Sequence, residues 1–144
     1  MLMFRVLHLN FTLFVYPLYT AFMSSKLGVF GEDIACQFLL EKRYRILSRN
    51  FRRPWGEIDI IARHPSGILI FVEVKTIRQG SLLPEDHLTV AKLGRLSRTS
   101  ELLANGEYEK ESKKGWQIDL VAIALGDDNV VTRITHYENI AGLT

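Results

Sequence analysis

The sequence predicts a single α/β domain in which helices flank a central mixed sheet, and three observations support this fold class. The chain has 144 residues, of which 47% are hydrophobic and 24% charged, the balance of a globular protein with one core. Periodicities of helical and strand type follow each other in the order helix, three strands, helix, two strands. Because no repeat, low-complexity segment or linker interrupts residues 24–144, we expect one sheet and one domain there.

The first 23 residues differ from the rest, because they are apolar almost throughout and carry one charge, Arg5. A signal peptide, a membrane anchor, or a stretch upstream of a true initiator at Met23 would each give such a segment. Polar residues interrupt it and no small-x-small cleavage site precedes Ser24, so we favour the third interpretation over an anchor and an anchor over secretion. A membrane partner is expected only if residues 1–23 are translated, and the single cysteine, Cys36, agrees with a cytoplasmic protein.

The first helix is predicted over residues 26–44, where Ile34, Ala35, Phe38 and Leu39 recur at helical spacing. A half-exposed strand follows over residues 44–53. The Pro54-Trp55 pair ends that strand. After a hairpin over residues 56–76, the remaining elements are a second helix over 84–104 that ends at Asn105-Gly106, a buried strand over 116–125 and an alternating strand over 130–137.

The hairpin turn is His64-Pro65-Ser66-Gly67, in which proline fixes φ and glycine accepts a positive φ. This turn sets a register that puts Asp59 opposite Glu73 and Glu57 opposite Lys75. Strand side chains alternate, so these four share one face. The other face is apolar and should be covered by a helix; it carries Ile58, Ile60, Ala62, Ile68, Ile70, Val72 and Val74.

The facing carboxylates of Asp59 and Glu73 should repel each other. A divalent cation such as Mg²⁺ would relieve this repulsion, because hard cations prefer carboxylate and carbonyl oxygens. Lys75 shares the face and could polarise a water beside the cation, which would provide the groups needed to hydrolyse a phosphodiester. The alternative interpretation is a solvated hairpin face with an ordinary cross-strand salt bridge.

Asp59, followed after thirteen residues by Glu73-Val74-Lys75, resembles the D…(D/E)-x-K signature of the restriction-endonuclease-like superfamily. The αβββαβ core of that superfamily is similar to the order predicted above. The segments GEDIACQFL, SRNFR, GEIDIIA, FVEVKT and DLVAIAL together resemble the YraN family of uncharacterised bacterial proteins and, more distantly, archaeal Holliday junction resolvases. The resemblance extends from about residue 27 to residue 141.

This resemblance implies that Asp59 and Glu73 are metal ligands, that the Val74 carbonyl is a third ligand, and that Lys75 activates water. It also implies that Glu32, on the first helix, reaches the site as a further catalytic carboxylate. The cofactor would be Mg²⁺ or Mn²⁺, with no small-molecule cofactor.

Three further residues, Glu57, Lys92 and Asp119, match charged positions of the YraN family for which the resemblance defines no role. The chain also departs from the family pattern in two places. Ile77 stands where an arginine usually follows the Lys-Thr pair, and Gln117-Ile118 stands where Arg-Phe is usual.

A basic run between residues 42 and 53 contains no acidic residue and has aromatic residues interleaved, a pattern typical of nucleic-acid binding. Lys92 and Arg95 share a face of the second helix and could form the opposite wall of a groove. The alternative is a set of solvated charges with Phe51 and Trp55 in the core. The predicted nucleic-acid contacts are Arg45, Arg49, Arg52, Arg53, Lys92 and Arg95.

The sequence therefore predicts a cytoplasmic, Mg²⁺- or Mn²⁺-dependent endonuclease domain that acts on DNA, with the branched or damaged DNA of recombination and repair as candidate substrates. A nucleic-acid-binding module with the same fold and no chemistry is the alternative. A homodimer remains open. P-loop, zinc-ligand and Ser or Cys nucleophile patterns are absent from the sequence.

Overall fold

The computed structural model describes residues 25–78 and 88–143, which contain two helices and five strands. The elements are α1 (Ser25–Glu41), β1 (Arg45–Arg53), β2 (Gly56–Arg63), β3 (Leu69–Arg78), α2 (Val90–Ala104), β4 (Trp116–Leu125) and β5 (Val131–Tyr137). The strands form one sheet in the order β1-β2-β3-β4-β5, in which β3 and β4 are parallel and the other neighbours antiparallel. The predicted mixed sheet and αβββαβ core are confirmed.

The two helices cover opposite faces of the sheet and create two apolar clusters. The cluster under α1 joins Phe38 and Leu39 to sheet residues such as Val72. The cluster under α2 joins Leu96 and Leu103, among others, to the opposite side of the same strands. This three-layer arrangement buries both faces of the central strands, as a parallel β-α-β crossover between β3 and β4 requires.

Helix α1 ends at Glu41, three residues earlier than expected. Arg43 has a φ of 65°, its N–H bonds the Leu40 carbonyl at 2.9 Å, and the Tyr44 N–H bonds the Leu39 carbonyl at 3.0 Å. These are the two hydrogen bonds of a Schellman motif. The position with positive φ usually holds glycine, so an arginine there gave no local signal for the end of the helix.

The hairpin between β2 and β3 forms as predicted. The His64 N–H bonds the Ile68 carbonyl at 2.9 Å, the Gly67 N–H bonds the His64 carbonyl at 2.8 Å, and Gly67 has a φ of 94°. The strands pair from Arg63 with Leu69 to Ile60 with Val72. The predicted register is therefore confirmed over the four pairs next to the turn.

Helix α2 begins at Val90, after the position expected from the sequence. Thr89 is extended and its Oγ1 accepts the Lys92 N–H at 3.2 Å, so this threonine is the N-cap. The predicted first turn at 84–87 and the segment 1–23 lie outside the described residues. The predicted end at Asn105 and the strand over residues 116–125 are confirmed. Within the described ranges, neither helix has the length and apolarity needed to cross a bilayer.

Candidate active site

The candidate site lies where β2 and β3 diverge. Their ladder ends at Ile60 and Val72, after which β2 continues beside β1 and β3 continues beside β4. Asp59 is the first residue of β2 beyond the ladder, and its Oδ2 accepts the Val74 N–H at 2.8 Å. The expected direct pairs, Asp59 with Glu73 and Glu57 with Lys75, are therefore not ladder pairs.

A backbone irregularity in β1 accompanies this divergence. Asn50, which faces Asp59 across the β1–β2 pair, has a φ of 51° and is skipped in the ladder between the Arg49 and Phe51 pairs. Regular alternation is lost at this point, so Ile58 packs in the α2-side cluster whereas Ile60 packs under α1. The prediction that Ile58 and Ile60 share one apolar face was wrong, because it assumed strict alternation through Asp59.

Glu73 is the buried carboxylate of the site, with 7% of its surface exposed. It projects from β3 towards α2, where the Lys92 Nζ donates to its Oε1. The sequence pattern had placed Lys92 in the wall of a DNA groove. Its observed partner is a carboxylate of the acidic site, which the spacing in sequence could not reveal because Glu73 and Lys92 lie on different elements.

Glu32 lies on α1, on the other face of the sheet, and is close enough to Asp59 for its charge to act on that carboxyl group. Gly31 allows this approach, because a Cβ at that position would lie 1.9 Å from the Thr76 Oγ1 of β3. The Oε2 of Glu32 is buried and has no hydrogen-bond partner among the described residues. An unpartnered buried carboxylate oxygen is uncommon and calls for an ion or an ordered water.

Electrostatics link these carboxylates. Burial, the neighbouring charge of Glu73 and the weaker effect of Glu32 together raise the pKa of Asp59 to about 7. The hydrogen bond from Val74 and the charge of Lys92 act in the opposite direction. A carboxylate near half-ionisation at neutral pH, surrounded by two others, is typical of functional sites.

Lys75 is partly buried and follows Glu73 by two residues on β3. Val74 between them packs with the α1 cluster, so Lys75 faces the α2 side together with Glu73, as the sequence predicted. In the described part of the chain, no three His, Cys, Asp or Glu side chains are arranged to hold a metal ion. Asp59 and Glu73 are two carboxylates of the ligand set expected from the sequence, and the Lys92 ammonium is bonded to Glu73.

A groove of about 320 Å³ opens beside Glu73 and separates the β1–β2 turn from α2. Glycine at position 56 allows the β1–β2 turn to approach α2 closely, because a Cβ there would lie 2.0 Å from the Thr99 Oγ1. Trp55 is exposed at the edge of the groove rather than part of the core. The charged residues that line the groove are Arg52, Arg53, Glu57, Glu73, Lys92 and Arg95.

Two of the predicted nucleic-acid contacts do not line this groove. Arg49 donates to the Asp33 carboxylate of α1, so its guanidinium lies on the α1 side of the sheet. Arg45 lies at the far end of β1, opposite Arg63. The basic run of the sequence is thus divided by strand alternation, and only its end at Arg52 and Arg53 faces the groove.

Asp119 is fully buried and belongs to a different network. Its Oδ1 accepts the Gln117 Nε2 and the Asn139 N–H at 2.8 and 2.9 Å, and its Oδ2 lies 2.8 Å from the His136 Nε2. The Lys42 Nζ lies 2.8 Å from the other ring nitrogen of His136. Sequence reasoning had missed His136; a carboxylate inside a buried strand was the signal that such a partner was needed.

The chain matches the uncharacterised protein family UPF0102 over residues 31–123. A UPF0102 protein of Roseiflexus castenholzii is 39% identical over 103 residues, which cover 71% of this chain and 82% of the relative. A UPF0102 protein of Syntrophomonas wolfei is 36% identical over 123 residues, which cover 81% of this chain and 98% of the relative.

Two solved structures are also similar, at low identity. An EndoMS complex with double-stranded DNA matches 77% of this chain and 39% of that chain, with 13% identity and a TM-score of 0.36. Pyrococcus furiosus SfsA in complex with Ca²⁺ matches 76% of this chain and 60% of its own, with 20% identity and a TM-score of 0.34. The family match confirms the resemblance that the sequence motifs indicated: this chain belongs to the UPF0102, or YraN-like, family.

Proposed function

We propose that this protein is a metal-dependent endonuclease that hydrolyses phosphodiester bonds in DNA. The observation that carries this proposal is the convergence of Glu32, Asp59 and Glu73, from three different elements, at the divergence of β2 and β3. A groove lined by arginines opens at the same point. An acidic centre beside a cationic groove suits a reaction in which a phosphate must be held while a cation offsets its charge.

Carboxylate oxygens of this kind would suit a divalent cation. The pKa of Asp59 is raised to about 7 by burial and by Glu73, so the site disfavours its own negative charge. One oxygen of Glu32 lacks a partner among the described residues. In this proposal Asp59, Glu73 and the Val74 carbonyl hold Mg²⁺ or Mn²⁺, since hard cations select such oxygens. The cation would supply Lewis-acid polarisation of the phosphoryl group and charge stabilisation in the transition state.

The remaining site residues act on water and on the phosphate. Lys75 has only donors and would orient the attacking water or offset the charge that develops on the phosphoryl oxygens. The free oxygen of Glu32 can accept a hydrogen bond from that water. Both groups are held by regular elements, β3 and α1, which keeps their position precise.

DNA would bind along the groove. Arg52, Arg53 and Arg95 line the groove and would bind phosphates, and exposed Trp55 offers a flat surface for an unstacked base. The repair and recombination roles expected from the sequence belong to this proposal, with branched and damaged DNA as the substrates to test first.

Cleavage assays on linear, nicked, flapped and four-way DNA with Mg²⁺, Mn²⁺ or EDTA test the proposal. Wild type should cleave at least one substrate with metal and none with EDTA. Asp59→Asn should weaken metal binding, because a charged oxygen ligand is lost. Lys75→Ala should retain metal binding and lose about 10²-fold or more in rate. Lys113→Ala, on an exposed turn, is the matched control and should behave as wild type.

One observation favours the alternative of a DNA-binding module without chemistry. Glu73 already has a cation, Lys92, and the described side chains form no three-ligand metal site. In that case DNA would bind equally well in EDTA. Titration calorimetry would then detect no divalent ion on the wild-type protein, and the nuclease proposal would be abandoned.

A further inference from the structure

Lys92 lies between the carboxylates of the candidate site and the groove beside them. It lies in the first turn of α2, where Thr89 caps the helix and accepts the Lys92 main-chain N–H. Its Nζ bonds Glu73 Oε1, and its side chain also lines the groove with Arg95. The Glu73 side chain is 9% exposed and that of Lys92 33%, so the ammonium reaches inward from the solvent-facing side.

Lys92 bonds one of the two Glu73 oxygens, so the proposed cation and the ammonium would share this carboxylate. A carboxylate oxygen bonded to an ammonium is a poorer ligand, because both cations compete for the same charge and cannot approach the same lone pairs. A buried carboxylate without any cation would itself be costly. Lys92 therefore serves as the counter-ion of Glu73 in the metal-free protein.

We infer that Lys92 is a placeholder for the metal and that it couples metal binding to DNA binding. When a divalent ion occupies Glu73, Lys92 leaves that oxygen and its ammonium moves into the adjoining groove, where it contacts a DNA phosphate. This inference rests on the proposed function. Since coupling between two ligands is reciprocal, metal should strengthen DNA binding and DNA should strengthen metal binding by the same factor.

The competition is measured by titrating Mn²⁺ into the full chain and recording heat and thermal midpoint. Lys92→Met removes the ammonium and keeps an apolar stem of similar length. It should bind Mn²⁺ about five- to tenfold more tightly than wild type, the scale of a partly exposed ion pair.

Arg95→Met is the control, because it removes a cation of the same groove that is not bonded to Glu73. It should change Mn²⁺ affinity by less than about twofold. Lys92→Gln provides a second neutral variant if Lys92→Met folds poorly.

The coupling is measured by DNA binding at several salt concentrations, in a Lys75→Ala background that limits cleavage. With Mn²⁺, adding Lys92→Met should lower the slope of log K against log salt by about 0.9, the value for one lost phosphate contact on duplex DNA. In EDTA, where Lys92 remains on Glu73, the same substitution should leave the slope unchanged.

The outcomes separate this inference from the proposed function. Unchanged or weaker Mn²⁺ binding in Lys92→Met, with normal binding in wild type, would overturn the placeholder role and leave the metal site intact. If Lys92→Met lowered the slope of log K against log salt equally in Mn²⁺ and in EDTA, Lys92 would contact a phosphate with or without metal. That result would also overturn the placeholder role. Absence of Mn²⁺ binding in both proteins would overturn the inference and the proposed metal site together.

Discussion

Two carboxylates embedded in the same sheet, Asp119 and Asp59, have opposite surroundings. Asp119 is fully buried, yet both its oxygens are bonded, to Gln117 Nε2 and the Asn139 N–H on one side and to His136 on the other. Asp59 is less buried and, among the described residues, accepts one main-chain hydrogen bond, from Val74. Its other neighbours include like charges, which raise its pKa further.

The comparison teaches that burial alone does not identify a functional carboxylate. A buried acid with complete hydrogen bonding stabilises the fold, as Asp119 does between β4, β5 and the C-terminal segment. A buried acid beside other acids, with a carboxylate oxygen of Glu32 unsatisfied nearby, holds charge that the fold itself does not neutralise. In the proposed function, a divalent cation would neutralise that charge.

Substitution by alanine should change the free energy of unfolding very differently at Asp119 and at Asp59. Asp119→Ala should lower the free energy of unfolding by about 3 to 5 kcal/mol, because three donors, among them the buried His136, lose their acceptor. Asp59→Ala should change it by no more than about 1 kcal/mol at pH 8 without metal, since the lost Val74 bond is offset by relief of repulsion with Glu73. Urea unfolding of both variants is the measurement. Comparable destabilisation at the two sites would contradict the distinction.

The pH dependence of stability should report Asp59 specifically. Its pKa is 3.8 in the reference state and about 7 in the fold, so the folded protein retains a proton that the unfolded chain loses. The contribution of Asp59 to stability is therefore neutral below pH 4, declines as pH rises from 4 to 7, and is fully unfavourable above 7. The loss should be on the order of 2 to 3 kcal/mol when relaxation of the site is allowed for.

Asp59→Asn is the control for this pH effect, because it keeps an acceptor for the Val74 N–H and cannot ionise. Its stability relative to wild type should increase between pH 4 and 7 in metal-free urea titrations and then level off. Saturating Mn²⁺ should remove most of the difference by stabilising the ionised wild type. Parallel pH profiles for the two proteins would show that Asp59 has an ordinary pKa.

A smaller effect should distinguish the two parts of the basic strand β1. Arg52→Ala with Arg53→Ala should reduce DNA affinity roughly tenfold and lower the salt slope by about 1.8, two phosphate contacts. Arg49→Ala, on the same strand, should leave both quantities within error, because Arg49 is engaged by Asp33 on the α1 side. Fluorescence anisotropy at several salt concentrations measures this. A matching loss in Arg49→Ala would extend the DNA surface around the edge of the sheet.

Much of the fold was predictable because the relevant information is local. Pro65 and Gly67 specify the turn, and the turn specifies the register of β2 against β3. Apolar periodicity identified α1 and the buried strand β4, and Asn105 correctly marked the end of α2. The length of the turn and strand alternation also suffice to group Glu73 and Lys75 on one face of β3, whereas the position of Asp59 depends on where β2 diverges from β3.

The tertiary structure decided which groups actually meet. The bonds from Lys92 to Glu73 and from Arg49 to Asp33 connect residues 19 and 16 positions apart on different elements, and Lys42 reaches His136 across 94 positions. The divergence of β2 from β3 at Asp59 depends on how each strand pairs with its other neighbour. Side-chain alternation and turn chemistry act over a few residues, whereas these contacts depend on how two helices pack on opposite faces of one twisted sheet, which no short stretch of sequence contains.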